Sequence, residues 1–267
     1  MSTIEPRFAD LLAFAHELAD RASEAILPQF RKRMSVENKA GAGAFDPVTA
    51  ADKGAERAIA KALRTRFPEH GIVGEEYGRR DGTSPYKWVV DPIDGTKGFI
   101  LGLPTWGTLI GLLRDGHPHL GLMCQPFTRE RFWSAEKASY LSVGGEKPKK
   151  LKTRECPDLA SAMLSTTHPD LFAAGEEAEG FQRIKASTRM TRYGGDCYAY
   201  CLLAAGHIDL VVEAGLKPHD IVALIPIIER AGGVITTWDG KPATHGGRIV
   251  ACGDPKLHAR AMKVLRG

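Results

Sequence analysis

Apolar residues recur at helical spacing over residues 8–30, with Leu11, Leu12, Phe14, Ala15, Leu18, Ala22, Ala25 and Ile26 on one stripe and Pro28 where it runs out. That pattern predicts an amphipathic helix ending near the proline. After a Gly/Ala-rich loop at 39–44, a second stripe (Ala51, Ala55, Ala58, Ile59, Ala62, Leu63) predicts a helix that stops before Pro68. The DPVT segment ahead of it reads as a helix cap, which gives Asp46 and Thr49 an ordinary structural role. Two short apolar runs follow, GIVG and WVV, and each runs into carboxylates. TWGTLIGLLRDG and HPHLGLMCQPF predict strands paired about a turn at Gly116, and RERFWSAEKASYLSVGG predicts two more strands of that sheet.

The second half alternates. Strands are predicted at 161–165, 181–186, 208–213, 234–237 and 248–252, and helices at 171–180, 197–205, 219–231 and 255–265. Such alternation indicates an α/β arrangement. A lysine-rich stretch at 144–154 containing Pro148 divides an N-terminal lobe (1–145) from a C-terminal one (155–267). Its basic run (Lys147, Lys149, Lys150, Lys152, Arg154) has no interleaved aromatics, so it reads as a solvated linker rather than a nucleic-acid surface.

Composition changes this picture little. The chain of 267 residues, 43% hydrophobic and 25% charged, is that of an ordinary globular protein with room for one large domain or two packed lobes. A net charge of +4 tolerates phosphorylated substrates but is too diffuse to argue for nucleic acid. No apolar run has the length of a membrane span, and no basic-then-apolar signal segment opens the chain. Five cysteines, an odd count without a C-x-x-C pair, point to a reducing, cytoplasmic compartment and no structural zinc. Of the nine histidines, His207, His245 and His258 are expected at the surface.

The candidate chemistry lies in VVDPIDGTKGFI, residues 89–100. A buried strand, a turn and a helix start deliver backbone N–H groups toward an anion, and the same turn delivers Asp91 and Asp94. Amides attract phosphate and carboxylates repel it; two like charges about 4 Å apart cost roughly 4 kcal/mol at an effective dielectric near 20. A divalent cation removes that conflict, which points to a metal-dependent phosphatase. D-P and D-G are also ordinary turn signals, so this motif alone leaves both readings open. A D-x-D-G-T aspartyl nucleophile is set aside, because Pro92 and Ile93 separate the two aspartates and keep them off one strand face. Glu75 and Glu76 read as a solvated loop unless the two carboxylate-ended strands are neighbours, in which case Glu75, Asp91 and Asp94 converge at one edge. Asp220, early in the predicted 219–231 helix, suits a helix N-terminus electrostatically; across the lobes it becomes a fourth carboxylate for metal.

GEEYG, DPIDGT and KPHDIVALIPIIERAGG, with DPVTAAD, together resemble the inositol monophosphatase family over nearly the whole chain. The resemblance implies a layered αβαβα sandwich of two lobes, a homodimer, and an enzyme requiring Mg2+ (two or three ions) and inhibited by Li+. It implies that Glu75, Asp91, Asp94 and the carbonyl of Ile93 hold metal, and that Asp91, Asp94 and Asp220 share a second ion. Asp46, Glu76 and Thr96, with Glu75, are implied to orient or activate the attacking water. Gly95 and Thr96 amides, beside Asp94, would hold phosphate, and Lys39 resembles a mobile-loop lysine. Where the family carries Trp-Asp before the late helix, this chain has His219-Asp220. Oxygen-only ligands suit Mg2+.

LPTWGTLIGLL, GGDCYAYCLLAAGHIDLVVEAGLKP and ALIPIIERAGG resemble the histidinol-phosphate phosphatase branch, with a place in histidine biosynthesis as the implication. Lys97 favours a 3′-phosphoadenosine 5′-phosphate phosphatase, but Gly98 stands where that branch is acidic. Histidinol phosphate carries an ammonium and an imidazole, so Gly194, Asp196 and Glu213 are the candidate substrate contacts. Asp196 also suits an N-cap, and Glu213 equally suits sugar hydroxyls. Inositol 1-phosphate phosphatase, and a phosphoester-binding regulatory module with no activity, are the competing readings.

Overall fold

The computed structural model describes residues 5–33, 35–39 and 47–267; the expectation for Asp46 therefore lies outside the described residues. The first predicted helix is α1 (Phe8–Ile26), continued by a short 3-10 turn that contains Pro28. A ribbon of β1 (Val36–Asn38) and β2 (Pro47–Thr49) leads into α2 (Ala50–Arg66). Thr49 is its N-cap: Asp52 Oδ2 accepts from Thr49 N (2.8 Å) and Thr49 Oγ1 (2.6 Å), while the Thr49 hydroxyl accepts from Ala51 N (3.2 Å).

The first sheet is built from β3 (Gly71–Gly74), β4 (Arg79–Arg80), β5 (Tyr86–Asp94), β6 (Gly107–Arg114), β7 (His117–Gln125), β8 (Glu130–Ser134), β9 (Ser139–Val143) and β10 (Lys149–Lys150), with α3 (Thr96–Leu101) between β5 and β6. Among the described residues of this sheet, only β3 and β5 pair in parallel; the other neighbours are antiparallel. The second sheet contains β11 (Met163–Thr166), β12 (Met190–Tyr193), β13 (Leu210–Leu216), β14 (Val234–Thr237) and β15 (Gly247–Cys252), in the order β12-β11-β13-β15-β14. Its helices are α4 (Glu176–Ser187), α5 (Asp196–Ala204), α6 (Pro218–Ile221), α7 (Leu224–Ala231) and α8 (Pro255–Arg266).

Alternation along each strand sorts its side chains into layers. Ile110, Leu120 and Leu122 join Leu11, Phe14, Leu18 and Ile59 of α1 and α2 on one face of the first sheet. Leu109, Met123 and Phe132 on the opposite face meet Tyr200 of α5 and Leu224 and Ile228 of α7, which also reach Val211, Ile249 and Ala251 of the second sheet. Beyond it Leu210, Val212 and Val250 pack on Phe181 and Ile184 of α4 and Leu257 of α8. Burying each such Leu, Ile or Phe is worth about 1.5–3 kcal/mol. The five layers are the αβαβα order expected from the resemblance.

Three expectations are corrected. Residues 181–186 are helical, inside α4: Phe181 and Ile184 face inward three apart, and Glu176, Glu177 and Glu179 load the first turn, where the helix dipole favours them. The strand comes later, at β12. The continuous helix over 219–231 is two pieces, because Pro226 has no N–H to give the turn before it; α7 starts so that this proline falls in its first turn. His258 is half-buried rather than superficial, its Nε2 lying 2.9 Å from Thr236 Oγ1. Among the described residues, no helix is long and apolar enough to cross a membrane.

Candidate metal centre and substrate cleft

Parallel pairing of β3 and β5 sets Gly74 beside Val90, so Glu75, just past the end of β3, and Asp91, the next residue of β5, come to the same edge. Beyond that point β5 departs from regular pairing between Asp91 and Asp94. Pro92 contributes no N–H, Ile93 N donates to Asp91 Oδ1 (3.0 Å), and Thr108 Oγ1 donates to Pro92 O (2.8 Å). Gly95 then takes φ +85°, where a Cβ would also press within 3.2 Å of Asp196 and Trp106. This glycine lets the chain turn into α3, and Thr96 Oγ1 closes the turn by donating to Ile93 O (3.0 Å).

Asp220 arrives from the other side, on α6. It is the third residue of that helix, where its Oδ2 accepts from Lys217 N at 2.6 Å. Oxygen atoms of Asp91, Asp94 and Asp220 lie within 4.8 Å of one another, as do single donor atoms of Glu75, Asp91 and His219. Asp91 belongs to both groups. Burial, followed by the charges of Glu75, Asp94 and Asp220, raises the Asp91 carboxyl well above the usual range. Asp94 is raised likewise, first by burial and then by Asp220 and Asp196, against the N–H of Cys197 (2.7 Å to Asp94 Oδ2), which favours its charged form. Burial also raises Asp220, opposed by His219. Mutually repelling, water-poor carboxylates of this kind are the donor set that a divalent cation satisfies, so the residues present fit a metal.

The expected residues fall as follows. Lys39 Nζ bonds Glu75 Oε1 (2.6 Å) and Glu76 Oε1 (2.9 Å). Burial works against the lysine's charge, but these two carboxylates outweigh it and raise the ammonium above the ordinary range. Gly95, Thr96, Asp94, Asp196, Glu213, Glu75 and Asp220 line one cleft of about 390 Å3, with Lys97, Tyr200 and His219. Gly194, at φ +81°, donates its N–H to Thr167 O (2.9 Å); it is exposed and is not among the residues that line the cleft. Asp196 opens α5 with φ +42°, a conformation most side chains avoid; burial pushes its carboxyl up to about 6, against Lys97. It is therefore a strained cleft residue and not a regular N-cap. Glu213 is buried, and accepts from Thr167 N (2.9 Å), Thr167 Oγ1 (2.5 Å) and Tyr200 OH (3.0 Å). A larger hollow of about 650 Å3, lined by residues such as His16, Cys124, Arg129 and Arg131, contains none of the motif carboxylates, and the chemistry places the site in the smaller cleft.

Several supporting residues escaped the sequence reading. Glu56 of α2 accepts from Glu76 N (2.8 Å) and Tyr77 N (3.0 Å) and so fixes the turn that presents Glu75. A Cβ at Gly74 would fall 1.8 Å from Glu56 Oε1, which is why this strand ends in glycine. The signal was present: Asp52 and Glu56 lie on the buried stripe of α2, where a charge needs a partner. Thr167 follows β11 as Glu75 follows β3, a strand-end position of the kind that lines ligand sites in α/β sheets. Tyr200, within an apolar helix, offered no signal.

A model of the inositol monophosphatase family matches residues 8–267. The chain is 44% identical to Bifunctional phosphatase IMPL2, chloroplastic, of Arabidopsis thaliana, over 97% of this chain and 75% of that protein. It is 35% identical to a histidinol-phosphatase of Mycobacterium tuberculosis, over 91% of this chain and 93% of that one. Among solved structures, an inositol monophosphatase from Zymomonas mobilis aligns with a TM-score of 0.85 at 41% identity, covering 98% of this chain and 99% of that one. The chain thus belongs to the inositol monophosphatase family of phosphatases.

Proposed function

We propose that this phosphatase hydrolyses histidinol phosphate to histidinol and phosphate with Mg2+ bound at the carboxylate centre. The observation that carries the reading is a cleft with more carboxylates than a metal centre needs. Besides Glu75, Asp94 and Asp220, it is lined by Asp196 and Glu213, which would face a cationic alcohol. The names of relatives from Mycobacterium tuberculosis (35% identical) and Streptomyces coelicolor (33% identical), both histidinol-phosphatases, support the same substrate.

Glu75, Asp91, Asp94, Asp220 and the carbonyl of Ile93 would hold the metal, which supplies charge neutralisation and a more acidic bound water when present. The chain's own groups position the rest. Gly95 and Thr96 N–H groups face the phosphate oxygens at the start of α3. Thr96 Oγ1 directs its proton to Ile93 O, so its lone pairs remain to accept a hydrogen bond from the attacking water, with Asp46 and Glu76 completing that set. Water then adds to phosphorus as the phosphorus–oxygen bond to the alcohol breaks, and the proton the water gives up is balanced by the one the leaving alcohol oxygen takes. Lys39, close to Glu75 and Glu76, is placed to compensate charge on the same side.

The 41%-identical structure of an inositol monophosphatase favours inositol 1-phosphate as a second reading, since a buried Glu213 can also accept from sugar hydroxyls. Phosphate release from histidinol phosphate, inositol 1-phosphate and 3′-phosphoadenosine 5′-phosphate, with and without chelator, tests both. Histidinol phosphate is expected to be cleaved fastest and only without chelator; equal rates would remove the specificity and leave the phosphatase. Asp94→Asn is expected to abolish turnover while the fold, read by circular dichroism, persists; near-normal activity would contradict the metal role. The reading extends to a homodimer, supported by the exposed Leu101, Leu103 and Phe127, which Arg31 ties together by donating to Gly102 O and stacking on Phe127; light scattering tests it. Five free, buried thiols support a reducing compartment.

A further inference from the structure

Two donor groups share Asp91, and they draw on consecutive residues of α6: Asp220 for the Asp91–Asp94 group and His219 for the Asp91–Glu75 group. Successive side chains on a helix project roughly 100° apart, so adjacent residues can serve two neighbouring ions that one carboxylate bridges. The His219 side chain is only 11% exposed and lines the cleft. One of its ring nitrogens lies within 4.8 Å of oxygen atoms of both Glu75 and Asp91. Ligands bonded at about 2.0–2.2 Å stand up to about 4.4 Å apart around one ion, so small side-chain movements bring all three into coordination. Asp220 Oδ1 is 3.4 Å from Nε2, longer than a good N–H···O bond, so that pairing does not hold the ring.

We propose that His219 is a ligand of the ion held by Glu75 and Asp91, and that this nitrogen donor strengthens binding of Mn2+, Co2+ or Zn2+ relative to Mg2+, which the carboxylates still hold. The inference rests on the metal-dependent reading above. Mg2+ takes oxygen ligands and gains little from imidazole, whereas the later divalent ions gain much. A residue with an indole there could not coordinate at all, so the His219 position sets metal choice without touching the phosphate-binding turn.

Electron spin echo spectroscopy of the Mn2+-loaded full chain tests this directly. The wild-type protein is expected to show nitrogen-14 modulation from a directly bound imidazole, and labelling histidine with nitrogen-15 is expected to remove it. His219→Phe is expected to keep bound Mn2+ and lose the modulation. In equilibrium competition, its preference for Co2+ over Mg2+ is expected to fall about tenfold. If that variant does not fold, His219→Asn replaces it in both measurements. Bound Mn2+ without nitrogen modulation in the wild type, or modulation that survives in the variant, overturns the assignment of His219 while leaving the metal centre in place. A wild-type protein that binds no Mn2+ overturns both readings.

Discussion

Glu213 shows how a single side chain can be placed by structure at the cost of its charge. Burial pushes its carboxyl up to about 7, more than the hydrogen bonds from Thr167 and Tyr200 lower it. An unfolded glutamate titrates near about 4.3, so between there and about 7 the folded state keeps a proton that the unfolded state gives up. Stability contributed by this site is therefore fully present at low pH, falls as pH rises through that window, and is level above it. Glu213→Gln removes the titration. Its stability relative to the parent is expected to rise by roughly 2–4 kcal/mol from pH 4.5 to 7.5, measured by urea unfolding at several pH values. A pH-independent difference would mean that Glu213 is ionised throughout. The constant offset from the altered hydrogen bonds does not enter, because only the slope is read.

At the scale of elements, glycine decides how closely helix and sheet approach. Gly111 and Gly121 are paired across β6 and β7, and a Cβ on Gly121 would lie 1.8 Å from Ala223 O at the junction of α6 and α7. That junction carries the chain from Asp220 into the core, so the bare patch on the sheet bears on where the fourth carboxylate stands. Gly121→Ala is expected to cost about 3 kcal/mol or more by overpacking. Gly54→Ala, in the middle of α2 with nothing within 4 Å of the added carbon, is expected to gain about 0.5–1 kcal/mol. Thermal unfolding of both variants checks the opposite signs. The same elements show what was legible beforehand. Long stripes such as Leu11 to Ile26 and paired strands about Gly116 declare themselves by periodicity, because burial of one face is a local pattern. Residues 181–186 did not, since Phe181 and Ile184 are too few to separate a helix from a short strand, and only packing against the second sheet decides. In the site, Glu75, Asp91, Asp94 and Asp220 stood out as carboxylates at strand and helix ends. Glu56, Thr167 and Tyr200 serve neighbours 20, 46 and 13 positions away in the chain, and such partnerships are set by the tertiary fold.

For the molecule as a whole, the cleft is where two sheets bring strand ends together, with Cys197 N bonded to Asp94 Oδ2 as a direct tie between them. The carboxylates gathered there oppose folding unless they are neutralised. Asp91 and Asp94 are raised well above the usual range, first by burial, so the folded chain without metal retains protons that the unfolded chain releases from about pH 4 upward. That contribution to stability is complete below the unfolded pKa and declines as pH rises toward the raised values. A divalent ion binds the deprotonated carboxylates, and its stabilisation must therefore grow over the same range in which the metal-free protein weakens. At a hundredfold excess over its dissociation constant an ion adds about 2.7 kcal/mol, which for a chain of this size corresponds to a rise in Tm of roughly 5–10 °C. Scanning calorimetry with Mg2+ and with chelator is expected to give curves that nearly coincide at pH 5 and separate by that amount at pH 8. In Asp94→Asn the separation should shrink, because one ligand and one source of repulsion leave together. A separation that is equal at both pH values would mean that the carboxylates are already ionised at pH 5, and that neutralising them is not what the metal contributes to this fold.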